Sequence, residues 1–260
     1  MGGFEEIEEN LREALAVFAR TGAGGVSEEL AGVAVTCSGI QFSMFNSAVL
    51  TAPVPSAGDL EARIHRAGTF FHRRGFSWSF WICQGWLDKD VRGVVGDVFH
   101  RNGLHLVVEL PGMAAERLPP PRRALPRLEF RRVTDAVTRA DFNRIMSIAF
   151  GIPFPIARAV YECERTWESA FTGWLGYLDD LPVTSTATLI TGSVAGVYAV
   201  STLPTHHRKG YAEAVMRQAL EHIRRTTGIE RSVLQSSEAG YSLYQKMGYR
   251  TVVRYAVFAT

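Results

Sequence analysis

"THHRKGYAEAV", residues 205–215, crowds two histidines, an arginine, a lysine and a glycine together and then turns apolar, as at the start of a helix. The first-turn N–H groups of a helix have no intrahelical acceptor and carry partial positive charge, so they bind phosphate oxygens without help from any side chain. Gly210 supplies a permissive φ and lets an anion come close to the backbone, and Arg208 and Lys209 add charge to the same place. The pattern is not the nucleotide P-loop, since G-x-x-x-x-G-K-S/T is absent. Read alone, the stretch also fits a solvated loop in which Gly210 opens a turn. The surrounding sequence decides between the two.

Working outward, "LEFRRV" (128–133) alternates as a strand, and "DAVTRADFNRIMSIAF" (135–150) begins with an Asp cap and puts Phe142, Ile145, Met146 and Ala149 on one helical face. A second helix is expected over 155–170. "WLGYLDD", "VTSTATLIT" and "SVAGVYAVST" read as three successive strands of an antiparallel meander, broken at 179–182 and 191–192. After the loop come a helix to about Arg225, a strand "RSVLQSS", a helix "EAGYSLYQKMG" closed by Gly248, and a last strand "YRTVVRYAVFA".

This order, with two motifs in it, resembles the GCN5-related N-acetyltransferases, the GNAT superfamily. The family pattern Q/R-x-x-G-x-G/A is matched by His207, Arg208, Lys209, Gly210, Tyr211 and Ala212, with His207 where Gln or Arg is usual. A second signature, Asn-x-x-Ala-x-x-Leu-Tyr-x-x-x-Gly-Phe/Tyr, is matched by Ser237, Gly240, Leu243, Tyr244, Gly248 and Tyr249, with Ser replacing Asn and Gly replacing Ala. Either motif alone is weak; together, in order and one helix and one strand apart, they are fairly specific. The resemblance covers residues 128–260 and implies an α/β fold with a mixed sheet.

It also implies that the anion is the pyrophosphate of acetyl-CoA, the co-substrate, and that Val200, Ser201 and Thr202 lie on a strand that splays from its neighbour and pairs through its backbone with the pantetheine arm. Together with residues 207–212 and Ser237 these form the expected cofactor-binding set. Tyr244 takes the family's position for the acid that protonates the departing thiolate: the thiol of CoA should lie at roughly pKa 8.5, and a tyrosine at roughly 10 stays protonated at neutral pH and can donate. The bland alternative for Tyr244 is a core aromatic. The family often carries a basic Glu on the strand before the loop, and "SVAGVYAVST" has no carboxylate. Glu238, Glu213, His206 and the pair Asp179 and Asp180 remain as candidates, each more readily read as a surface charge, and an acceptor that arrives deprotonated needs no base.

The first half repeats the later part of this order. Helix 4–20, strands 33–38 and 41–50, helix 59–74, the strand "FSWSFWI" with Phe76, Trp78, Phe80 and Ile82 on one face, a helix and "GLHLVVEL" follow one another. "RNGLHLVVEL" aligns with "KMGYRTVVRY", Gly103 on Gly248 and Val107 and Val108 on Val252 and Val253, so a degenerate second GNAT-like copy is expected, with coincidence as its competitor. That copy has "TAPVPSAGDLE" in place of a cationic glycine loop, and Phe99 where Tyr244 would align. The expected organisation is a tandem: a degenerate domain 1–116, a Pro/Arg-rich linker 117–127 and an acetyltransferase domain 128–260. The linker arginines Arg117, Arg122, Arg123 and Arg127 read as solvated, with RNA binding as the weaker alternative.

Composition sets the outer limits. The 260 residues fit two domains of roughly 100 to 150 residues, and 47% hydrophobic with 21% charged residues is ordinary globular usage. A net charge of +2 argues against a general nucleic-acid or membrane-surface binder. No apolar run approaches the roughly 18 to 20 residues of a membrane span, and the acidic start "MGGFEEIEEN" is unlike a signal peptide, so a cytoplasmic protein is expected. Cys37, Cys83 and Cys163 are distant from one another and read as free thiols, with no metal site. The functional expectation is transfer of an acetyl group from acetyl-CoA to a primary amine of a small molecule or peptide, by a monomer with an internal pseudo-dimer or by a homodimer. The alternative is an acyl-CoA-binding or sensing module with little turnover. Trp78, Trp81, Trp86, Trp167 and Trp174 are candidates to line an acceptor pocket, with the core as their other reading.

Overall fold

The computed structural model describes residues 3–22, 24–168 and 171–260. In chain order the elements are α1 (Glu5–Phe18), β1 (Val26–Leu30), β2 (Val33–Cys37), β3 (Asn46–Leu50), α2 (Ala57–His72), β4 (Ser79–Cys83), α3 (Lys89–Arg92), α4 (Val95–Arg101) and β5 (His105–Ala115). The second half supplies β6 (Glu129–Arg132), α5 (Ala136–Phe150), α6 (Phe154–Tyr161), α7 (Glu164–Trp167), β7 (Phe171–Leu178), β8 (Leu181–Thr191), β9 (Val194–Thr202), α8 (Tyr211–Thr227), β10 (Ser232–Gln235), α9 (Glu238–Lys246) and β11 (Arg250–Ala259).

All the strands join one mixed sheet in the order β1-β2-β3-β4-β11-β5-β10-β9-β8-β7-β6. The last strand of each half has therefore crossed to the other: β11 pairs antiparallel with β4, and β5 pairs antiparallel with β10. The exchanged strands also pair with each other, Tyr255 opposite Leu110 and Val257 opposite Val108. The alignment of Gly103 with Gly248, both at positive φ, carried seven residues further puts Leu110 on Tyr255. A pseudo-twofold axis therefore passes between these two facing residues.

Local chemistry accounts for the elements. Asp135 and Thr138 form a reciprocal capping box at α5, and Ser56 caps α2 by accepting from the Asp59 N–H. The β7–β8 hairpin turns at Asp179 and Asp180, both in the left-handed region (φ 47° and 61°), which Asp tolerates better than most residues. Three expectations need correction. Ala149 is exposed, and Asn143 takes the buried place beside Phe142, Ile145 and Met146. The helix expected over 155–170 is two short helices, α6 and α7, with residues 169–170 outside the described ones. The strand expected from 41 starts only at Asn46, whose buried side chain donates to the carbonyls of Ile40 (2.8 Å) and Ser77 (3.0 Å) and accepts from the Ser38 N–H (3.0 Å), holding 38–45 in a turn.

The two large cores are not private to their halves. One gathers Phe71, Trp78, Phe80, Ile82 and Phe99 with Ala256 and Phe258 from β11; the other joins Phe142, Tyr161, Leu175 and Leu189 to Ala14, Val17 and Phe45 from the first half. Helix α1 lies between the halves, with Ile7, Leu11 and Leu15 against Val49 and Cys83 on one side and Val194 and Val233 on the other. Among the described residues no helix is long and apolar enough to cross a membrane.

Glu8 of α1 is 4% exposed at this junction, and both its carboxylate oxygens lack a hydrogen-bond partner. Burial pushes its pKa up from 4.5 to about 7, an effect that the nearby Tyr255 hydroxyl, Cys83 thiol and Arg12 charge offset only in part. The folded state thus holds a proton that the unfolded chain releases near 4.5, so stability is greatest below that pH and falls until the folded group has ionised near 7. Glu8→Gln removes this loss: in urea titrations it is close to wild-type stability at pH 4.5 and more stable by up to about 3 kcal/mol at pH 8.

Candidate functional site

Strands β9 and β10 run parallel but pair over only two positions, Ala195 with Ser232 and Gly196 with Val233. Beyond them β9 continues to Thr202 while β10 ends at Gln235 and gives way to α9, so the sheet opens as a V between the two. Val200, Ser201 and Thr202 occupy the freed stretch of β9. A bulge shapes it. The register against β8 slips between Ser185 and Ala187, and Ala199 takes φ 51°.

A bulge breaks ladder bonds, and here β8 hydroxyls replace them. Ser185 donates to the Ala199 carbonyl (3.2 Å), Thr186 to that of Tyr198 (3.3 Å) and Thr184 to that of Ser201 (2.6 Å), while the Ser185 and Ser201 hydroxyls share a 2.7 Å bond. Thr184, Ser185 and Thr186 are thus site residues that strand propensity alone does not reveal. The signal is the run of small hydroxyl side chains in "VTSTAT", all buried from Val183 to Thr188.

At the mouth of the V stands the loop into α8. Gly210 is the N-cap residue of α8 in the left-handed region (φ 84°), and no side chain caps the helix, so its first-turn N–H groups are available. Arg208 is also left-handed (φ 61°), and it and Lys209 are exposed. His207 donates from Nε2 to the Thr202 carbonyl (2.8 Å), which ties the loop to the end of β9 and identifies the nitrogen that carries the hydrogen. Tyr211 is buried, and Ala212 follows it in the first turn of α8.

Across the V, Ser237 caps α9 by accepting from the Gly240 N–H (3.3 Å). One turn on, Tyr244 is 7% exposed among Met113, Val197, Met216 and Tyr249, and burial pushes its hydroxyl pKa up, so it stays protonated. Its ring lies over Gly240: a methyl group there would come within 2.7 Å of a ring carbon and 3.3 Å of the hydroxyl. This explains Gly where the family pattern has Ala. The carboxylate candidates are otherwise engaged or exposed: Glu213, in the first turn of α8, pairs with Arg217 (2.9 Å), Asp180 pairs with Arg131 (2.9 Å), Asp179 turns the β7–β8 hairpin, and Glu238 is exposed on the first turn of α9. His206 contacts the Thr205 hydroxyl through Nδ1 (2.9 Å).

The pseudo-symmetric place in the first half is closed. Past the ends of β3 and β4 the chain stays zipped, the Val54 N–H donating to the Trp86 carbonyl (2.7 Å) and the Asp88 N–H to the Val54 carbonyl (3.2 Å). The loop before α2 points carbonyls inward, and buried Arg63 donates to those of Ala52 (2.6 Å) and Pro53 (2.6 Å) and to that of Gly32 in the β1–β2 turn (3.0 Å). Phe99, aligned with Tyr244, stacks on Phe258 at 4.1 Å. The tryptophans serve packing: Trp78 stacks on Phe71, Trp86 meets Phe4 edge-on, Trp81 bonds Ser79, Trp167 bonds the Tyr161 carbonyl, and Trp174 packs on Val215 and Ala219. Among the described residues no cluster of His, Cys, Asp and Glu could hold a metal ion, and Cys37, Cys83 and Cys163 are free.

The splay, bulge and uncapped loop all fall within residues 176–252, which match the family model for an acetyltransferase (GNAT) domain. This segment of the second half matches a GNAT domain. The fold of the whole chain is similar to that of a GCN5-related N-acetyltransferase from Kribbella flavida, at 17% identity and TM-score 0.70, covering 96% of this chain and 95% of that one. One from Sphaerobacter thermophilus is 13% identical at TM-score 0.60, over 88% and 76% of the two chains. A tandem GNAT protein from the clavulanic acid biosynthesis pathway is 11% identical at TM-score 0.58, over 98% and 94%. No curated protein matches the sequence. The tandem GNAT architecture thus extends over both halves, and the GNAT fold supports acyl transfer from acyl-CoA.

The contact between Gly240 and Tyr244 yields a stability test. Gly240→Ala gains helix propensity yet must displace the ring, so a net loss of about 1 to 2 kcal/mol is expected in chemical denaturation. In a Tyr244→Ala background the same change becomes neutral or stabilising, a coupling that a double-mutant cycle reads directly.

Proposed function

We propose that the chain is an N-acetyltransferase that moves an acetyl group from acetyl-CoA to a primary amine of a small molecule or peptide, with the loop and strand edge of the second half, and not their counterparts in the first, holding the cofactor. The observation that carries this reading is the V between β9 and β10 with the uncapped start of α8 at its mouth. In this proposal the N–H groups of α8 and the backbone beside Gly210 receive the diphosphate, with Arg208 and Lys209 adding charge. The edge of β9 at Val200, Ser201 and Thr202 pairs with the pantetheine amides as an added strand would. His207 and Ser237 act at one remove: the first anchors the loop and the second caps α9.

The neutral amine attacks the thioester carbon, and the tetrahedral intermediate collapses with departure of thiolate. Tyr244, kept protonated by burial, donates to the sulfur. With no carboxylate on β9, the acceptor loses its ammonium proton to solvent before attack, and the proton that its nitrogen sheds as the intermediate collapses passes through solvent to restore Tyr244. The first half completes the sheet and offers no second cofactor site, because its loop presents carbonyls held by Arg63 where an anion needs donors. The absence of a carboxylate on β9 also favours a second reading, an acyl-CoA-binding module with little turnover.

Two experiments separate these readings and test the assignments. Gly210→Asp adds bulk and negative charge at the loop, and calorimetry should show acetyl-CoA affinity reduced at least tenfold, about 1.4 kcal/mol; unchanged affinity removes the loop from the site. Turnover of acetyl-CoA against amino acids, polyamines, aminoglycosides and peptides identifies an enzyme, and no turnover with intact binding identifies the module. In the enzyme, Tyr244→Phe keeps packing and binding but lowers kcat by roughly 10² to 10⁴ with little change in KM. A parallel loss of melting temperature would assign Tyr244 to the core instead.

A further inference from the structure

The linker between the halves does not run free. Arg217 of α8 donates to the Pro119 carbonyl (2.8 Å), and the Pro119 ring presses on Gly248, where a methyl group would meet it at 2.7 Å. Further on, the linker reaches the loop at the mouth of the V. Pro126 lies 3.4 Å, and Nη2 of Arg123 lies 3.5 Å, from where a methyl group on Gly210 would stand. A residue some 90 positions upstream thus places its guanidinium over the one glycine that the loop needs for close approach.

Charge sharpens the point. Arg117 pairs with Glu230 at the far end of the linker, but among the described residues no carboxylate or carbonyl holds Arg123, Arg208 or Lys209. Arg123 thus joins Arg208 and Lys209 on the loop at Gly210, next to helix N–H groups that are themselves positive, and the one carboxylate in the first turn of α8, Glu213, is paired with Arg217. Like charges repel in such an arrangement unless an anion joins them. A guanidinium presents paired donors that match phosphate oxygens, which a solvated spacer arginine has no need to bring here.

We infer that Arg123 is a cofactor-binding residue, contributed by the linker, that contacts the diphosphate of acyl-CoA beside Gly210. This rests on the acyl-CoA reading above. It makes the linker one wall of the site, and the first half, which supplies the strand leading into the linker, holds that wall in place.

The test is calorimetric titration of the full chain with acetyl-CoA and with its 3′-dephospho analogue, for wild type, Arg123→Ala, Arg123→Lys and the neighbouring Arg122→Ala. Arg123→Ala should weaken both ligands at least fivefold and equally, Arg123→Lys should recover part of the loss, and Arg122→Ala should bind like wild type, all with unchanged melting temperature. An equal affinity of Arg123→Ala and wild type overturns the inference while leaving the acyl-CoA reading intact. A loss confined to acetyl-CoA overturns the diphosphate assignment and moves the contact to the 3′-phosphate. A loss accompanied by a lower melting temperature and not relieved by Lys makes Arg123 a linker anchor only. Failure of wild type to bind acetyl-CoA refutes the acyl-CoA reading itself.

Discussion

The pairing of β5 with β11 is the constraint from which the rest of the molecule follows. Each strand lies beyond its own half, so neither half can complete its sheet or its core without the other. The exchange also dictates where the linker goes. β5 ends at the centre of the sheet and β6 lies at its far edge, five inter-strand steps away, about 24 Å at the usual spacing. A chain leaving β5 for β6 must cross the second half, and a proline-rich segment does so in extended form. The path brings it past Gly248 and over Gly210. The proximity of linker and loop is thus a consequence of topology before it is a matter of any side chain.

Two copies of one plan face each other across that pair, and small differences give them opposite properties. In the second half a two-residue pairing between β9 and β10 leaves a strand edge open, and a bulge satisfied by β8 hydroxyls keeps it in shape. In the first half Val54 continues the pairing past the strand ends, and Arg63 neutralises the carbonyls that crowd the turn. One arrangement leaves donors outward and unsatisfied; the other leaves nothing for an anion to bind. The same fold can therefore hold a site in one copy and serve as scaffold in the other.

Much of this was legible in the chain. The meander, the helix after Gly210, the capped α5 and the repeat of Gly103 on Gly248 all follow from local pattern, because turns, caps and hydrophobic periods act over a few residues. The strand exchange did not, since β5 and β11 carry the same alternation whichever neighbour they pair with. β1 was missed for a related reason: "VSEEL" sits at the sheet edge with Ser27, Glu28 and Glu29 exposed, and so lacks an apolar signature. The bulge at Ala199 has no glycine to announce it; its evidence lies in the hydroxyls of the adjacent strand. Arg63 and Arg123 read as ordinary charges because their partners are distant in sequence, and only the fold shows one holding three carbonyls and the other beside Gly210.

The exchange carries a consequence for how the protein comes to be made. Phe80 and Phe99 close their core on Phe258, a residue synthesised long after both. While the ribosome is still building the second half, β4 has an unpaired edge and Phe99 lacks the ring it stacks on, so the emerging first half must wait, sticky and incomplete, for β11. The exposed apolar face and free strand edge of such a nascent half are of the kind that chaperones hold, and two nascent copies in proximity can complete each other's sheets. The internal swap thus carries within it the route to an intermolecular one.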